Sequence, residues 1–300
     1  MSWQPIVVGV DASPEAAHAA AFAIALAKRA GTTCQIMHAA PDVLASAEVP
    51  DNDRYRHALV EQAGGEIRAA LADGVPAAVG ETLSVRIGAA PVVLKRAVAA
   101  FGAELIVLGG KHHSALGRWF GGSTSLEVAR TTEVPVLVTA GAPAAIRRVL
   151  VAVDQSGAAR PTLAAAERYA ALFGAELRAI SVFEPLPVIP GVTQPYETGE
   201  YYAMSEELLT RDVWSLIRTP GVERIVRYGM AVKTILREVS EWGADLLVVG
   251  SHGKGWAERV LVGSVTERLL NHLPTSLIVV PVRAAVVAEP SGANLAVAVA

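Results

Sequence analysis

The chain repeats itself. GAELIVLG at 102–109 aligns with GADLLVVG at 243–250, PIVVGVDAS at 5–13 with RVLVAVDQS at 148–156, and VPVLVTA at 134–140 with TSLIVVP at 275–281. A period of about 140 residues is a duplicated domain, since solenoid units run only roughly 20–50 residues. A 300-residue chain agrees with that division at roughly 150 residues per domain. The expectation is a first domain over 1–142, a second over 146–283 and a flexible C-terminal tail over 284–300.

Within each copy, short β-branched runs alternate with longer helical patterns. In the second copy strands are expected near 148–154, 176–183, 222–228, 245–250 and 276–281, and helices near 158–173, 203–218, 230–242 and 264–272. Pro161 falls near one helix start and Gly174 just past its end, as helix capping asymmetry requires. Runs such as LIVLG and LLVVG are apolar throughout, which suits parallel strands covered on both faces. Strand–helix alternation implies right-handed crossovers and an α/β, doubly wound, Rossmann-like sheet in each copy. Ligands of such sheets sit beyond the carboxyl ends of the strands, at the topological switch point. Asp154 and Gly250, each expected to close a strand, fall on that rim.

Composition limits the partners. The chain is 52% hydrophobic but only 5% aromatic, with a net charge of −3. That charge gives no general attraction to nucleic acid or to an anionic membrane. Cys34 is the single cysteine, so neither a disulfide framework nor a cysteine-based metal site is available. The start MSWQPIVVGV lacks the features of a signal peptide, and no run of 18 or more apolar residues occurs. The expected location is the cytoplasm.

The stretch VGSHGKGWAERVLVGSVTERLL at 249–270 carries the chemistry. Gly250 ends a strand, Gly253 follows, and nine residues later Gly263-Ser264 stands at an expected helix start. Glycines at such spacing mark a positive φ or a close approach to the backbone. Ser264 with Glu267 fits the S-x-x-E capping pattern. A helix N-terminus offers unpaired amides and partial positive charge, a ready anion site. Lys254 adds a mobile charge, and the Ser264 and Thr266 hydroxyls are expected to add donors, so an oligophosphate can be enclosed between the two glycine bends. A turn and a helix cap that merely shape the chain are the structural alternative. A P-loop is excluded, because Val248 stands where its first glycine belongs and Gly255 follows the lysine. Neither half has G-x-G-x-x-G after its first strand. Ser251 comes close to a hydrolase elbow, but Val249 replaces its first glycine and no Asp–His pair is evident.

With these residues in place, Gly250-x2-Gly253-x9-Gly263-Ser264, the strand ending at Asp154, and GADLLVVGSHGK resemble the universal stress proteins. The resemblance covers 5–140 and 147–282, a tandem member of that family. It implies two domains, each with a five-stranded parallel sheet, binding ATP with or without Mg²⁺. Carried onto matching positions, Gly250, Ser251, His252, Gly253 and Lys254 would wrap ribose and phosphates, and Gly263, Ser264, Val265 and Thr266 would hold phosphates. Ala152, Val153 and Asp154 would line the site, with the Val182 backbone on adenine. Asp154 alone also reads as an acceptor for ribose hydroxyls or a Mg²⁺ ligand, or as a turn cap.

The matching positions of the first half are Gly9, Asp11, Ala39, Gly109, Gly110, Lys111, Gly122, Ser123, Thr124 and Ser125. There His112 replaces the second glycine, which at positive φ would cost about 1 kcal/mol or more. Lys111, His112, His113 and Arg118 make that loop basic, and the sequence leaves open whether this half binds ATP. The His112-His113 pair without patterned acidic or cysteine ligands reads as a solvated basic turn rather than a metal site. Residues 184–200, rich in Pro and Gly, read as a flap or partner surface, and Tyr196, Tyr201 and Tyr202 either cover a base or simply pack.

The leading expectation is an ATP-binding regulatory module, in which nucleotide shifts a population and alters how an unidentified protein partner is met. Its rivals are a slow ATPase or self-phosphorylating enzyme using Ser251 or Ser264, and a nucleotide-free interaction protein. By resemblance the last strands of the two halves pair within the chain, and a further homodimer stays open.

Overall fold

Residues 2–42, 52–75, 82–110, 124–141, 145–185, 198–253 and 262–282 are described by a computed structural model. The first half runs β1 (Ile6–Gly9), α1 (Pro14–Ala30), β2 (Cys34–Ala40), α2 (Asn52–Leu71), β3 (Ser84–Ile87), α3 (Ala90–Phe101), β4 (Leu105–Gly110), α4 (Thr124–Thr131) and β5 (Val136–Ala140). The second repeats it as β6 (Arg148–Ala152), α5 (Ala159–Phe173), β7 (Glu176–Phe183), α6 (Thr198–Asp212), β8 (Glu223–Tyr228), α7 (Ala231–Trp242), β9 (Leu246–Gly250), α8 (Ser264–His272) and β10 (Ser276–Val280). A 3₁₀ turn at Trp214–Leu216 follows α6.

All ten strands join one sheet in the order β3-β2-β1-β4-β5-β10-β9-β6-β7-β8. Within each half the pairing is parallel. The two halves meet where β10 runs antiparallel to β5, with Ile278 opposite Leu137. The last strands therefore do pair within the chain.

Alternation along the strands makes two core layers. Val149, Val151, Leu246 and Val248 point into one, and Leu150, Leu247 and Val249 into the other. Each layer draws residues from both halves, so the hydrophobic core is continuous across the junction. Polar links add to it. Arg168 of α5 forms a two-point ion pair with Glu104 at 2.8 and 2.9 Å and lies 3.6 Å over the Trp3 ring. Arg29 of α1 donates to the carbonyls of Leu172 and Phe173 at the end of α5, where cations oppose the helix dipole.

Helix ends follow their residues. Ser13 caps α1 by accepting from the Ala16 amide, ahead of Pro14, and Gly31 ends it at φ 65°. Gly174 ends α5 at φ 64°, with Pro161 in its first turn. Two boundaries differ from expectation. Strand β6 stops at Ala152, because Asp154 turns out of the ladder to accept from Ser156. Helix α6 begins at Thr198, inside the Pro/Gly-rich stretch, and stops at Asp212. Its buried Ser205 and Leu209 fix its seat on the sheet, and buried Trp214 takes the chain into the 3₁₀ turn.

Candidate functional site

Strands β6 and β9 are neighbours whose following chains depart in opposite directions, the switch point of the second half. Beyond their carboxyl ends lies a cavity of about 340 Å³, within the range of small-molecule sites. Of the residues expected to form a site, Ala152, Val153, Asp154, Val182, Gly250, His252, Gly253, Gly263, Ser264, Val265 and Thr266 all line it. Lys254 lies outside the described residues.

The turn after β6 is built by its own side chains. Asp154 Oδ1 accepts from the Ser156 amide at 3.1 Å and from its hydroxyl at 2.5 Å. The carboxylate therefore serves as a turn cap while also facing the cavity. Asp11 makes the same pair of bonds with Ser13 in the first half.

Gly253 owes its place to close approach. A Cβ there would stand 2.5 Å from Asp154 Oδ2, so any side chain must displace the carboxylate. Its φ, like those of Gly250 and Gly263, lies outside the positive region that Gly174, Gly221, Gly229 and Gly243 occupy. The alternative of a positive φ is thus overturned for all three. His112, the substitution it bore upon, lies outside the described residues. At Gly250 a Cβ would meet Ala158 Cβ and Thr162 Oγ1 at 3.0 Å, so this glycine admits helix α5.

The start of α8 also departs from expectation. Its N-cap is Gly263, not Ser264, at φ −71° and ψ 154°, and no side chain caps it. The expected capping box does not form, because the Glu267 amide donates to the Gly263 carbonyl at 2.9 Å and the Glu267 carboxylate reaches Arg130 of α4 at 3.3 Å, while the Gly263 amide donates to Ser251 O at 2.7 Å. The helix consequently opens its first turn on the cavity with no side-chain cap bond among the described residues.

Two expected ligand donors are engaged elsewhere. Thr266 is buried and its hydroxyl donates to Gly250 O at 2.7 Å, tying α8 to the end of β9. Ser251 is buried at 2% exposure and does not line the cavity. Its amide donates to Val280 O, and its Oγ accepts from the Val282 amide at 3.0 Å and lies 2.9 Å from His252 Nδ1. Ser251 anchors the loop to the end of β10 and is not part of the cavity wall.

Sequence reasoning missed Gln155, Thr162, Phe183, Glu184, Ala231 and Ile235, which also line the cavity. Glu184 accepts from the Ala231 amide at 2.8 Å, capping α7. The only sequence signal for these residues is their position just past strand ends or in the first turns of helices. Tyr201 lines the cavity from α6, Tyr202 packs on Tyr228 at 4.4 Å, and Tyr196 lies outside the described residues.

A smaller cavity of about 230 Å³ occupies the same place in the first half. Gly9, Asp11, Ala39, Gly109, Thr124 and Ser125 line it, together with Glu15, Met37, His38 and Leu94. Gly110 does not. A Cβ on it would fall 2.1 Å from Leu273 Cδ2 and 2.7 Å from Thr139 O, so it lies at the seam between the halves. Lys111, Gly122 and Ser123 lie outside the described residues.

Among the described residues no group of three His, Cys, Asp or Glu could hold a metal, and no helix is long and apolar enough to cross a membrane.

Fold and site together define a class, tandem doubly wound α/β proteins with a cavity at the switch point of each half. The sequence profile of the Universal stress protein family matches residues 2–140 and 145–281. The chain belongs to the universal stress protein family, as a tandem member. It is 30% identical over 292 residues to a universal stress protein of Mycolicibacterium smegmatis, covering 92% of this chain and 96% of that one. A universal stress protein of Mycobacterium tuberculosis strain H37Rv is 28% identical over 297 residues, covering 91% and 95%. The crystal structure of a universal stress protein from Archaeoglobus fulgidus shares the fold at a TM-score of 0.61, with 22% identity and coverage of 92% and 97%.

Proposed function

We propose that the second half binds ATP in the cavity at the ends of β6 and β9, and that the bound nucleotide regulates how the protein meets a partner. The observation that carries this reading is the first turn of α8, which opens on the cavity behind a glycine N-cap with no side-chain cap bond among the described residues. Such a turn is an electrostatic seat for phosphate. Gly253 brings the opposite loop against Asp154, close enough for backbone to contact a ligand. Asp154 faces ribose hydroxyls from the centre of the site. A Mg²⁺ ion would be held mainly by phosphate oxygens with Asp154 as the protein carboxylate, the usual economy of this ion.

The geometry favours binding over self-phosphorylation at Ser251, whose hydroxyl is buried and bonded to Val282 and His252. Nucleotide would draw the glycine loop and α8 together, and any partner sensitive to that closed arrangement would read ATP through a shifted population.

Nucleotide per chain is to be counted by mass spectrometry on protein purified without added ATP, and melting followed with and without Mg-ATP. Binding at a concentration a hundredfold above Kd stabilises by about 2.7 kcal/mol, a readily seen rise in Tm. Gly253→Val places its side chain against the Asp154 carboxylate and is expected to abolish that rise, measured from the variant's own unliganded Tm, since displacing the turn-capping carboxylate lowers that baseline as well. No co-purified nucleotide together with no shift would refute the reading.

A further inference from the structure

We propose that Tyr201 is the base-stacking residue of the C-terminal cavity, so that the base of a nucleotide, and not only its phosphates, contributes to binding there. This rests on the nucleotide reading above. The cavity extends over β9, β6 and β7, adjacent strands of the sheet. At about 4.8 Å per strand spacing, its two ends lie about 10 Å apart. The β9 end carries the glycine loop and the start of α8, the seat for phosphate. The β7 end is largely apolar, formed by Val182, Phe183, Ala231 and Ile235, with Tyr201 entering from α6 and the Glu184 carboxylate at its edge engaged on the Ala231 amide. A ligand with phosphates at the first end must present its base at the second.

Two further observations single out Tyr201. The first is its support. Gln155, on the cavity rim, donates through Nε2 to Ser205 O at 2.5 Å, one helical turn beyond Tyr201, which holds α6 against the site. A chain of rings then runs from Tyr201 to Tyr202 at 5.6 Å, to Tyr228 at 4.4 Å and to Phe183 at 6.2 Å. Both ends of this chain, Tyr201 and Phe183, line the cavity, so the ring is fixed before ligand arrives. The second is the contrast with the first half. By strand register Ala40 and Ile87 stand where Phe183 and Tyr228 stand, and no described residue of α2 reaches the smaller cavity. The aromatic wall therefore belongs to one repeat and is not a requirement of the fold.

The test is calorimetric titration of the full chain and of Tyr201→Phe and Tyr201→Leu with Mg-ATP and with inorganic tripolyphosphate. Circular dichroism melting confirms that each variant folds. Stacking on an aromatic ring typically contributes enough for about a tenfold change or more on its removal. Tyr201→Leu is expected to weaken ATP at least about tenfold and leave tripolyphosphate unchanged, whereas Tyr201→Phe retains wild-type affinity for both. Equal ATP affinity in wild type and Tyr201→Leu overturns the stacking role and leaves the ATP reading intact. Equal loss for ATP and tripolyphosphate also overturns it, because the residue would then act on the phosphate seat. Wild-type protein that takes up no ATP refutes the parent reading and this one with it.

Discussion

At the scale of single residues, environment decides which group is available for chemistry. Asp154, Ser251 and Thr266 are all polar and at or beside the same cavity; Asp154 and Thr266 line it and Ser251 does not, and the hydroxyls of Thr266 and Ser251 are bonded to backbone groups. Thr266 and Ser251 thereby engage part-buried partners, the Gly250 carbonyl and the Val282 amide, in bonds that contribute about 0.5–1.5 kcal/mol each. Their residue types were legible in the sequence, but their bonding was not, because the acceptor of Thr266 is sixteen positions away and one donor to Ser251 is thirty-one. The same principle acts on Cys34, the first residue of β2. Burial makes its thiolate costly and pushes its pKa up from 9.0 to about 12. Between those values the unfolded chain sheds a proton that the folded chain keeps, so stability is fully present below pH 9 and falls as pH rises toward 12, by up to about 1.4 kcal/mol per pH unit. Tyr169, raised by burial against the opposing effect of Arg168 and with a further push from Glu104, adds to the fall from about pH 10 upward in wild type and variant alike. Thermal melts between pH 8.5 and 11 should show a shallower decline of Tm in Cys34→Ala than in wild type. Parallel curves would contradict the burial of the thiol.

At the scale of elements, helix α8 shows how a local pattern yields to its surroundings. Ser264 and Glu267 have the sequence of a capping box, and in an isolated helix would close it. Here the Gly263 amide is drawn to Ser251 and the Glu267 carboxylate to Arg130, so the helix starts at Ser264 as expected but behind a glycine N-cap. The lost cap is what leaves an anion seat. Helix α6 yields similarly, extending to Thr198 because Ser205, Leu209 and the tyrosine pair find places on the sheet. The tether from Thr266 to Gly250 holds α8 to β9. Replacing it by Thr266→Val keeps the volume but strips the bond, and should cost about 1–2 kcal/mol, lower Tm by several degrees and weaken ATP binding. Thr266→Ser should restore both. A Thr266→Val protein with unchanged Tm would show that the hydroxyl holds nothing.

At the scale of the whole molecule, the two repeats act as one folding unit because β5 and β10 zip their sheets together. Leu137 and Ile278 face each other across that seam with no solvent exposure, and both core layers pass through it. Ile278→Asp would bury an unpaired charge there, a change that typically exceeds about 4 kcal/mol. Calorimetry is expected to show one transition for the wild type and two, one per half, for the variant. A single transition persisting in the variant would mean that the seam contributes little to cooperativity. Apolar strand runs, capping glycines and the duplicated motif are local signals, so the amino-acid order alone determined the tandem α/β architecture, the strand sequence within each half and the rim that carries the cavity. What only the folded chain decided was the reason for each glycine, the open first turn of α8, the withdrawal of Ser251 and the arrival of Tyr201 from α6. Each of these depends on contacts between residues far apart in the chain, whose energies no local pattern contains.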